Sequence, residues 1–232
     1  MRDSKMAALV LVLVFTSVFC TGVNSYCLPQ GFVYVETVIP NITTELRYST
    51  DNNFIGRPVD GYLKPRCILT KEAADALKKI QEELNRFGLG LKIYDAYRPR
   101  QAVDHFVRWA KDVDDTKMKN IYYPNVRKQD LFKESYIASR SSHSRGSTVD
   151  LTVVSIHASD SNTEIDMGTA FDLFDPKSWP NDLSVSASQR AHRLLLQVMM
   201  EKHGFKSHPT EWWHFTLKNE PYPDTYFDFP VE

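Results

Sequence analysis

Hydrophobic positions along the chain predict three amphipathic helices. In residues 70–87 the apolar side chains recur at steps of three and four, which is the period of a helix face. Thr70 is a good N-cap, Glu72 sits favourably in the first turn, and Gly88 follows as a stop signal. The predicted apolar face consists of Ala73, Ala76, Leu77, Ile80, Leu84 and Phe87.

The other two predicted helices cover residues 100–113 and 186–203. Pro99 lies near the first turn of the former, where proline is tolerated, and Gly204 is the predicted C-cap of the latter. Their apolar faces are predicted to be Val103, Phe106, Val107 and Ala110 in the first, and Ala191, Leu194, Leu195, Val198 and Met199 in the second.

Short apolar runs predict strands at residues 91–94, 147–154 and 214–217. Helices and strands are mixed without a regular βαβ alternation, and neither an internal repeat nor a linker divides the chain. We therefore predict an α+β fold, with a single domain in which helices flank a small, mainly antiparallel sheet.

Composition and charge exclude some classes of function. The hydrophobic fraction of 42% and the charged fraction of 25% are typical of a soluble globular protein. The formal net charge is −1, and Lys and Arg are interspersed with Asp and Glu, unlike the basic face of a nucleic-acid-binding protein. We therefore expect no nucleic-acid partner, and the oligomeric state stays open.

The N-terminus has the layout of a secretory signal peptide. Arg2 and Lys5 precede an apolar run over residues 7–19, and Val23 and Ser25 suit the −3 and −1 positions of a cleavage site. The alternative is a membrane anchor, but the run is shorter than the roughly 20 residues that span a bilayer. We predict a leader over residues 1–25, an exported domain over residues 26–232, and no membrane association after cleavage.

Two features of the mature chain agree with export. Cys27 and Cys67 are the cysteines left after cleavage. Two cysteines in an exported domain favour a disulfide, and the alternative is two unpaired buried thiols. Asn41 begins an Asn-Ile-Thr tripeptide, which is a glycosylation acceptor if the host is eukaryotic and the side chain is exposed.

One segment that suggests a metal site is the Ser- and Gly-rich turn that contains His143. Asp150 follows seven positions later between two apolar residues of a predicted strand. A buried carboxylate is costly without a partner, and imidazole with carboxylate is a normal zinc ligand set. The alternative is that local backbone N–H groups satisfy Asp150 while His143 lies on the surface.

A second segment, Glu211-Trp212-Trp213-His214, places a proton carrier three residues before a possible ligand. In a regular strand this odd offset would point the two side chains apart, so we predict an irregular backbone at the tryptophans. Tryptophan-rich strands are also common in protein cores, so this motif alone is only suggestive.

Together the two segments describe a catalytic zinc site with one Zn²⁺ per chain. His143, Asp150 and His214 would leave one tetrahedral position for water. Glu211 would act as general base and acid, and Arg98 would stabilise the oxyanion. Asp95, three residues before Arg98, could orient its guanidinium.

The motifs in these segments resemble those of the D-alanyl-D-alanine dipeptidases of the VanX type. The similarity extends over essentially the whole mature chain, and the signal peptide, the cysteine pair and the Asn41 tripeptide are departures from it. It is carried by residues 141–150, 95–99 and 211–214, with further matches at 48–62, 167–172 and 220–230.

This resemblance implies zinc-dependent hydrolysis of D-Ala-D-Ala in a small closed cleft. It assigns the metal to His143, Asp150 and His214, catalysis to Glu211 and Arg98, the substrate ammonium to Tyr48 and Asp172, and the pocket lining to Ser141. From the residues alone, Asp172 could also be a turn residue and Tyr48 an ordinary core tyrosine. The remaining histidines are predicted to lie on surfaces or helix faces: His105, His157, His192, His203 and His208.

Two alternative functions stay open at this point. A D,D-carboxypeptidase or endopeptidase with the same zinc architecture would act on peptidoglycan stems and would need an open groove instead of a pocket for a free ammonium. A binding protein that has lost catalysis would lack Glu211 or Arg98, and both residues are present.

Overall fold

A five-stranded mixed sheet forms the centre of the protein, as seen in a computed structural model that describes residues 27–157 and 163–232. The predicted leader lies outside the described residues. The sheet has the order β2-β4-β5-β7-β6, where only the pair β2–β4 is parallel, and β1 pairs with β3 in a separate antiparallel ribbon. In chain order the strands are β1 (Phe32–Tyr34), β2 (Thr43–Thr44), β3 (Ile68–Thr70), β4 (Leu89–Asp95), β5 (Thr148–Ser155), β6 (Phe205–Ser207) and β7 (His214–Leu217).

The helices confirm the three long predicted segments. The Thr70 hydroxyl caps α2 by accepting from the Ala73 N–H at 3.4 Å, and Ser186 and Gln189 form a reciprocal capping box at the start of α5. The helices are α1 (Val35–Val38), α2 (Lys71–Asn85), α3 (Arg100–Lys111), α4 (Lys119–Tyr122) and α5 (Ala187–Lys202). The predicted mainly antiparallel sheet with flanking helices is confirmed as a mixed α/β domain.

The predicted buried face of α5 is only partly correct: Met199 is buried and Leu195 packs against the core, but the other three predicted residues do neither. Ala191, Leu194 and Val198 are exposed, and the residues that face inward are Arg193, Leu196, Met199 and Met200. α5 packs against β6, and Arg193 donates hydrogen bonds to the carbonyls of Met167 and Trp179, both at 2.7 Å. These contacts turn the side of the helix that carries Arg193 towards the core. Phe87, predicted on the apolar face of α2, lies beyond the end of that helix and is 70% exposed.

The predicted disulfide is also wrong, because both cysteines are free thiols. Cys67 precedes β3 and is fully buried in the core, whereas Cys27 is exposed. A disulfide requires Cβ atoms about 4 Å apart, and here one thiol packs inward while the other lies on the surface. Burial raises the pKa of the Cys67 thiol well above its usual value, so this group stays protonated.

Two further observations bear on the predicted setting. Asn41 is exposed in a turn before β2, so its side chain is accessible. Among residues 27–157 and 163–232, no helix combines the length and the hydropathy that a membrane span requires.

Candidate active site

Three adjacent strands bring the predicted site residues onto one face of the sheet. Asp150 on β5 lies directly opposite His214, the first residue of β7. On its other side Asp150 is paired with Asp95, because the register of β4 against β5 shifts between Ile93 and Asp95. Without that irregularity Asp95 would be opposite Val149 and would point to the other face.

His143 lies beside Asp150 and His214, on a short 3₁₀ turn, Ser142–Arg145, that precedes β5. The Ser141 hydroxyl accepts from the His143 N–H at 3.3 Å and so caps this turn. The turn ends at Gly146, which has a φ of +83°, a conformation that glycine adopts without strain.

The ligand atoms of the three residues fit a single metal ion. Nε2 of His143 and Nδ1 of His214 lie 3.3 Å and 3.0 Å from Oδ1 of Asp150, and 3.3 Å from each other. Ligands about 2.0–2.1 Å from a tetrahedral zinc ion are roughly 3.3 Å apart, so these separations match. Oδ1 of Asp150 is buried and accepts no hydrogen bond, which is expected of an atom that coordinates a cation. This His-Asp-His group could therefore hold a metal ion.

Neighbouring groups orient both imidazole rings. Nδ1 of His143 donates to the Ala96 carbonyl at 2.7 Å, so Nε2 carries the lone pair that can coordinate a metal. Nε2 of His214 lies 3.3 Å from the Ser142 hydroxyl, which leaves Nδ1 free for coordination. Burial lowers the pKa of His143. Burial opposes the ionised form of Asp150, but the two imidazoles outweigh it and hold its pKa well below the usual value.

Arg98 is held beside the ligands by Asp95. Its Nε and one terminal nitrogen each lie 2.9 Å from Oδ2 of Asp95, and that terminal nitrogen is 3.5 Å from Oδ2 of Asp150. The guanidinium also lies 5.1 Å from the ring centroids of Tyr48 and Phe106. A fixed cation therefore adjoins the ligand cluster.

Tyr48 and Asp172 form a buried pair beside Arg98, whose guanidinium lies over the Tyr48 ring. The Tyr48 hydroxyl donates to Oδ2 of Asp172 at 2.8 Å, and neither side chain is more than 6% exposed. Asp172 has a φ of +62°, an uncommon conformation for a residue with a side chain. Burial raises the pKa of Asp172 well above its usual value, and the nearby Asp150 carboxylate raises it further.

Glu211 approaches the ligands through a turn, as the odd spacing predicted. Trp212 and Trp213 lie outside any strand, and the His214 N–H donates to the Glu211 carbonyl at 3.3 Å. Oε2 of Glu211 is thereby brought 3.4 Å from Nδ1 of His214. The Trp212 indole donates to the Thr169 hydroxyl at 2.8 Å, which anchors the turn. Burial raises the pKa of the Glu211 carboxyl.

Comparisons with known proteins identify the family. A family model described as D-ala-D-ala dipeptidase (Peptidase_M15) matches residues 29–232. The chain belongs to this M15 D-Ala-D-Ala dipeptidase family. Within the family it is 42% identical over 200 residues to the D-alanyl-D-alanine dipeptidase of Streptomyces coelicolor, covering 86% of this chain and 98% of that protein. It is also 42% identical over 202 residues to the protein of the same name from Enterococcus faecalis, covering 87% and 98%.

A solved structure with a weaker likeness is a variant of the vancomycin-resistance D,D-pentapeptidase VanY in complex with Zn(II). It shares 12% sequence identity and covers 68% of this chain and 77% of that chain, with a TM-score of 0.40.

In this member of the M15 family, most of the predicted site residues line one cavity of about 190 Å³. It is lined by Tyr48, Arg98, Ser141, His143, Asp150, Asp172, Glu211 and His214. Asp95 lies behind Arg98, as its contacts show. Cys27, Cys67 and Asn41 do not line this cavity.

His208 also lines this cavity, although its sequence context predicts a position on a surface or helix face. Its ring is 5.0 Å from that of His214, and burial lowers its pKa to about 4, so the imidazole is neutral near pH 7. The available signal was its position in the same loop as the Glu211–His214 motif, six residues before His214.

Proposed function

We propose that this chain is a zinc D,D-dipeptidase that hydrolyses D-Ala-D-Ala. The observation that carries the proposal is the convergence of the ligand atoms of His143, Asp150 and His214 beside the Glu211 carboxylate. The sequence relatives named D-alanyl-D-alanine dipeptidase support the substrate class. Zinc held by these residues would supply Lewis acidity that lowers the pKa of water at the site to roughly 7.

The side chains around the ligands then have distinct roles. Glu211 accepts the proton of the attacking water and delivers it to the leaving amine. Its raised pKa suits a carboxylate that must hold this proton between the two steps. Arg98, oriented by Asp95, donates to the oxygen that becomes negatively charged during attack.

Substrate selection would depend on the amino end of the dipeptide. A buried Asp172 with a raised pKa gains a partner when an ammonium group binds beside it, and Tyr48 fixes the carboxylate by a hydrogen bond. Ser141 lines the same cavity. A cavity of about 190 Å³ favours a small substrate with free ends over a peptidoglycan stem.

A metal-reconstituted substrate panel tests the proposal. D-Ala-D-Ala, L-Ala-L-Ala and N-acetyl-D-Ala-D-Ala would be compared for wild-type protein, Glu211→Gln and the exposed control Glu201→Gln. We expect cleavage of D-Ala-D-Ala alone, and a loss of about 10²–10⁴-fold in turnover for Glu211→Gln with one zinc still bound. Preferential cleavage of the N-acetyl compound, or near-normal turnover of Glu211→Gln, would contradict the proposal.

We further propose that the enzyme works outside the cytosol. The proposal rests on the predicted leader over residues 1–25 and on the accessible Asn41. Expression in a eukaryotic secretory host should release the protein into the culture medium. The released protein should begin at Tyr26, and its mass should fall after endoglycosidase treatment. A chain that stays in the cells with its leader intact would overturn this localisation.

A further inference from the structure

His208 is hydrogen-bonded beside the ligand cluster. Its backbone N–H donates to the His214 carbonyl at 3.0 Å, which ties the end of β6 to the start of β7. The two rings meet edge to face, with an interplanar angle of 63°. His208 therefore belongs to the wall of the cavity that also contains Glu211.

The hydrogen bonds of the ring determine its tautomer. The backbone N–H of Thr210 donates to Nδ1 of His208 at 3.4 Å, and the Thr210 hydroxyl lies 3.1 Å from the same atom. Because a backbone N–H can only donate, Nδ1 is the acceptor and the proton of the neutral ring is on Nε2. Within the described part of the chain, Nε2 has no hydrogen-bond partner, so it is a donor available to a ligand in the cavity.

The contacts of His208 and Asp172 indicate which end of a dipeptide each of them meets. His208 adjoins the cluster at His214, whose ring is 5.0 Å away and whose Nδ1 faces Oδ1 of Asp150. Asp172 adjoins it from the side of the other oxygen, Oδ2, through the Tyr48 hydroxyl and the Arg98 guanidinium that lies over the Tyr48 ring. With the ammonium at Asp172 and the scissile carbonyl at the cluster, the carboxylate of the leaving residue extends towards His208.

On the basis of the proposed function, we propose that His208 is a specificity-determining residue that donates its Nε2–H to the C-terminal carboxylate of the dipeptide. The interaction is a charge-assisted hydrogen bond from a pre-oriented neutral donor. It would favour substrates with a free C-terminus over those with a blocked one.

Kinetics with D-Ala-D-Ala and its C-terminal amide test this assignment. His208→Phe removes the donor but keeps a planar ring, His208→Gln restores a donor, and the exposed His157→Phe is the matched control. We expect the ratio of kcat/KM for the acid to that for the amide to fall roughly tenfold or more in His208→Phe. The ratio should recover in His208→Gln and stay unchanged in His157→Phe, with equal zinc content in all proteins.

Two results would overturn the assignment, and they are distinguishable. If wild-type protein cleaves D-Ala-D-Ala and His208→Phe reduces both substrates equally, His208 acts only through His214 and the proposed function stands. If zinc-loaded wild-type protein cleaves neither compound, the proposed function fails and the role of His208 fails with it.

Discussion

Substitution of Asp95 by Asn tests how the protein holds Arg98. Oδ2 of Asp95 accepts from two nitrogens of Arg98, each at 2.9 Å, and Oδ1 accepts from the Tyr62 hydroxyl at 2.7 Å. Asp95 is 1% exposed, so water cannot replace a lost partner. Asparagine keeps the shape of the side chain, and its NH₂ group can donate to the Tyr62 hydroxyl while its oxygen accepts from Arg98, but the buried guanidinium loses its carboxylate partner.

The size of the effect follows from what Arg98 would retain. Removing one partner of a buried ion pair costs about 3–5 kcal/mol. Arg98 keeps Asp150 at 3.5 Å and its two aromatic neighbours, so we expect the lower end, about 3 kcal/mol. In a domain of this size the melting temperature should then fall by about 6–12 °C. Turnover should fall on the order of 10²-fold, because Arg98, the proposed oxyanion donor, loses its orientation.

The assay is urea unfolding and steady-state kinetics of zinc-loaded proteins, with Asp60→Asn as the matched control. Asp60 is also paired with an arginine, Arg108, but both side chains are at least half exposed. Its substitution should therefore cost no more than about 1 kcal/mol and leave turnover unchanged. If Asp95→Asn behaved like Asp60→Asn in both assays, the proposed positioning of Arg98 would be refuted.

Three further predictions address the metal, the substrate pocket and the turn that carries His143. Zinc at about 1,000 times its Kd should stabilise wild-type protein by about 4 kcal/mol in thermal unfolding, and Asp150→Asn should lose most of that stabilisation. If zinc stabilised Asp150→Asn as much as wild-type protein, Asp150 would not be a ligand. Asp172→Asn should raise the KM for D-Ala-D-Ala by roughly 30-fold or more, and an unchanged KM would place the ammonium elsewhere. Gly146→Ala should lower the free energy of unfolding by about 1–3 kcal/mol, since φ is +83° and a Cβ would lie 2.3 Å from the Phe32 ring; unchanged urea unfolding would contradict this.

Local patterns predicted the elements of the fold well. Thr70 caps α2 as expected, α3 begins directly after Pro99, and β7 covers the predicted residues 214–217. These features depend on caps, proline geometry and side-chain period, all of which act within a few residues of the chain. The irregular backbone at Trp212 and Trp213 was predictable for the same reason, because the offset between Glu211 and His214 does not suit a strand.

Features that depend on distant partners were not predictable in this way. The buried side of α5 includes Arg193 because the Met167 and Trp179 carbonyls accept hydrogen bonds from it. The hydrophobic pattern of the helix does not indicate these distant partners. Cys67 is enclosed by the core while Cys27 is exposed, so counting cysteines predicted a bond that the packing does not form.

The sequence by itself determined the chemical inventory of the site: two imidazoles, the carboxylates and the guanidinium, in segments whose order resembles one family. Only the tertiary structure decided how these groups meet. The register shift in β4 turns Asp95 towards Asp150, and the pairing of β7 with β5 places His214 beside it. The tie between β6 and β7 adds His208 to the same cavity. Residue types are local properties, whereas register and the approach of separate strands are set by packing across the whole sheet.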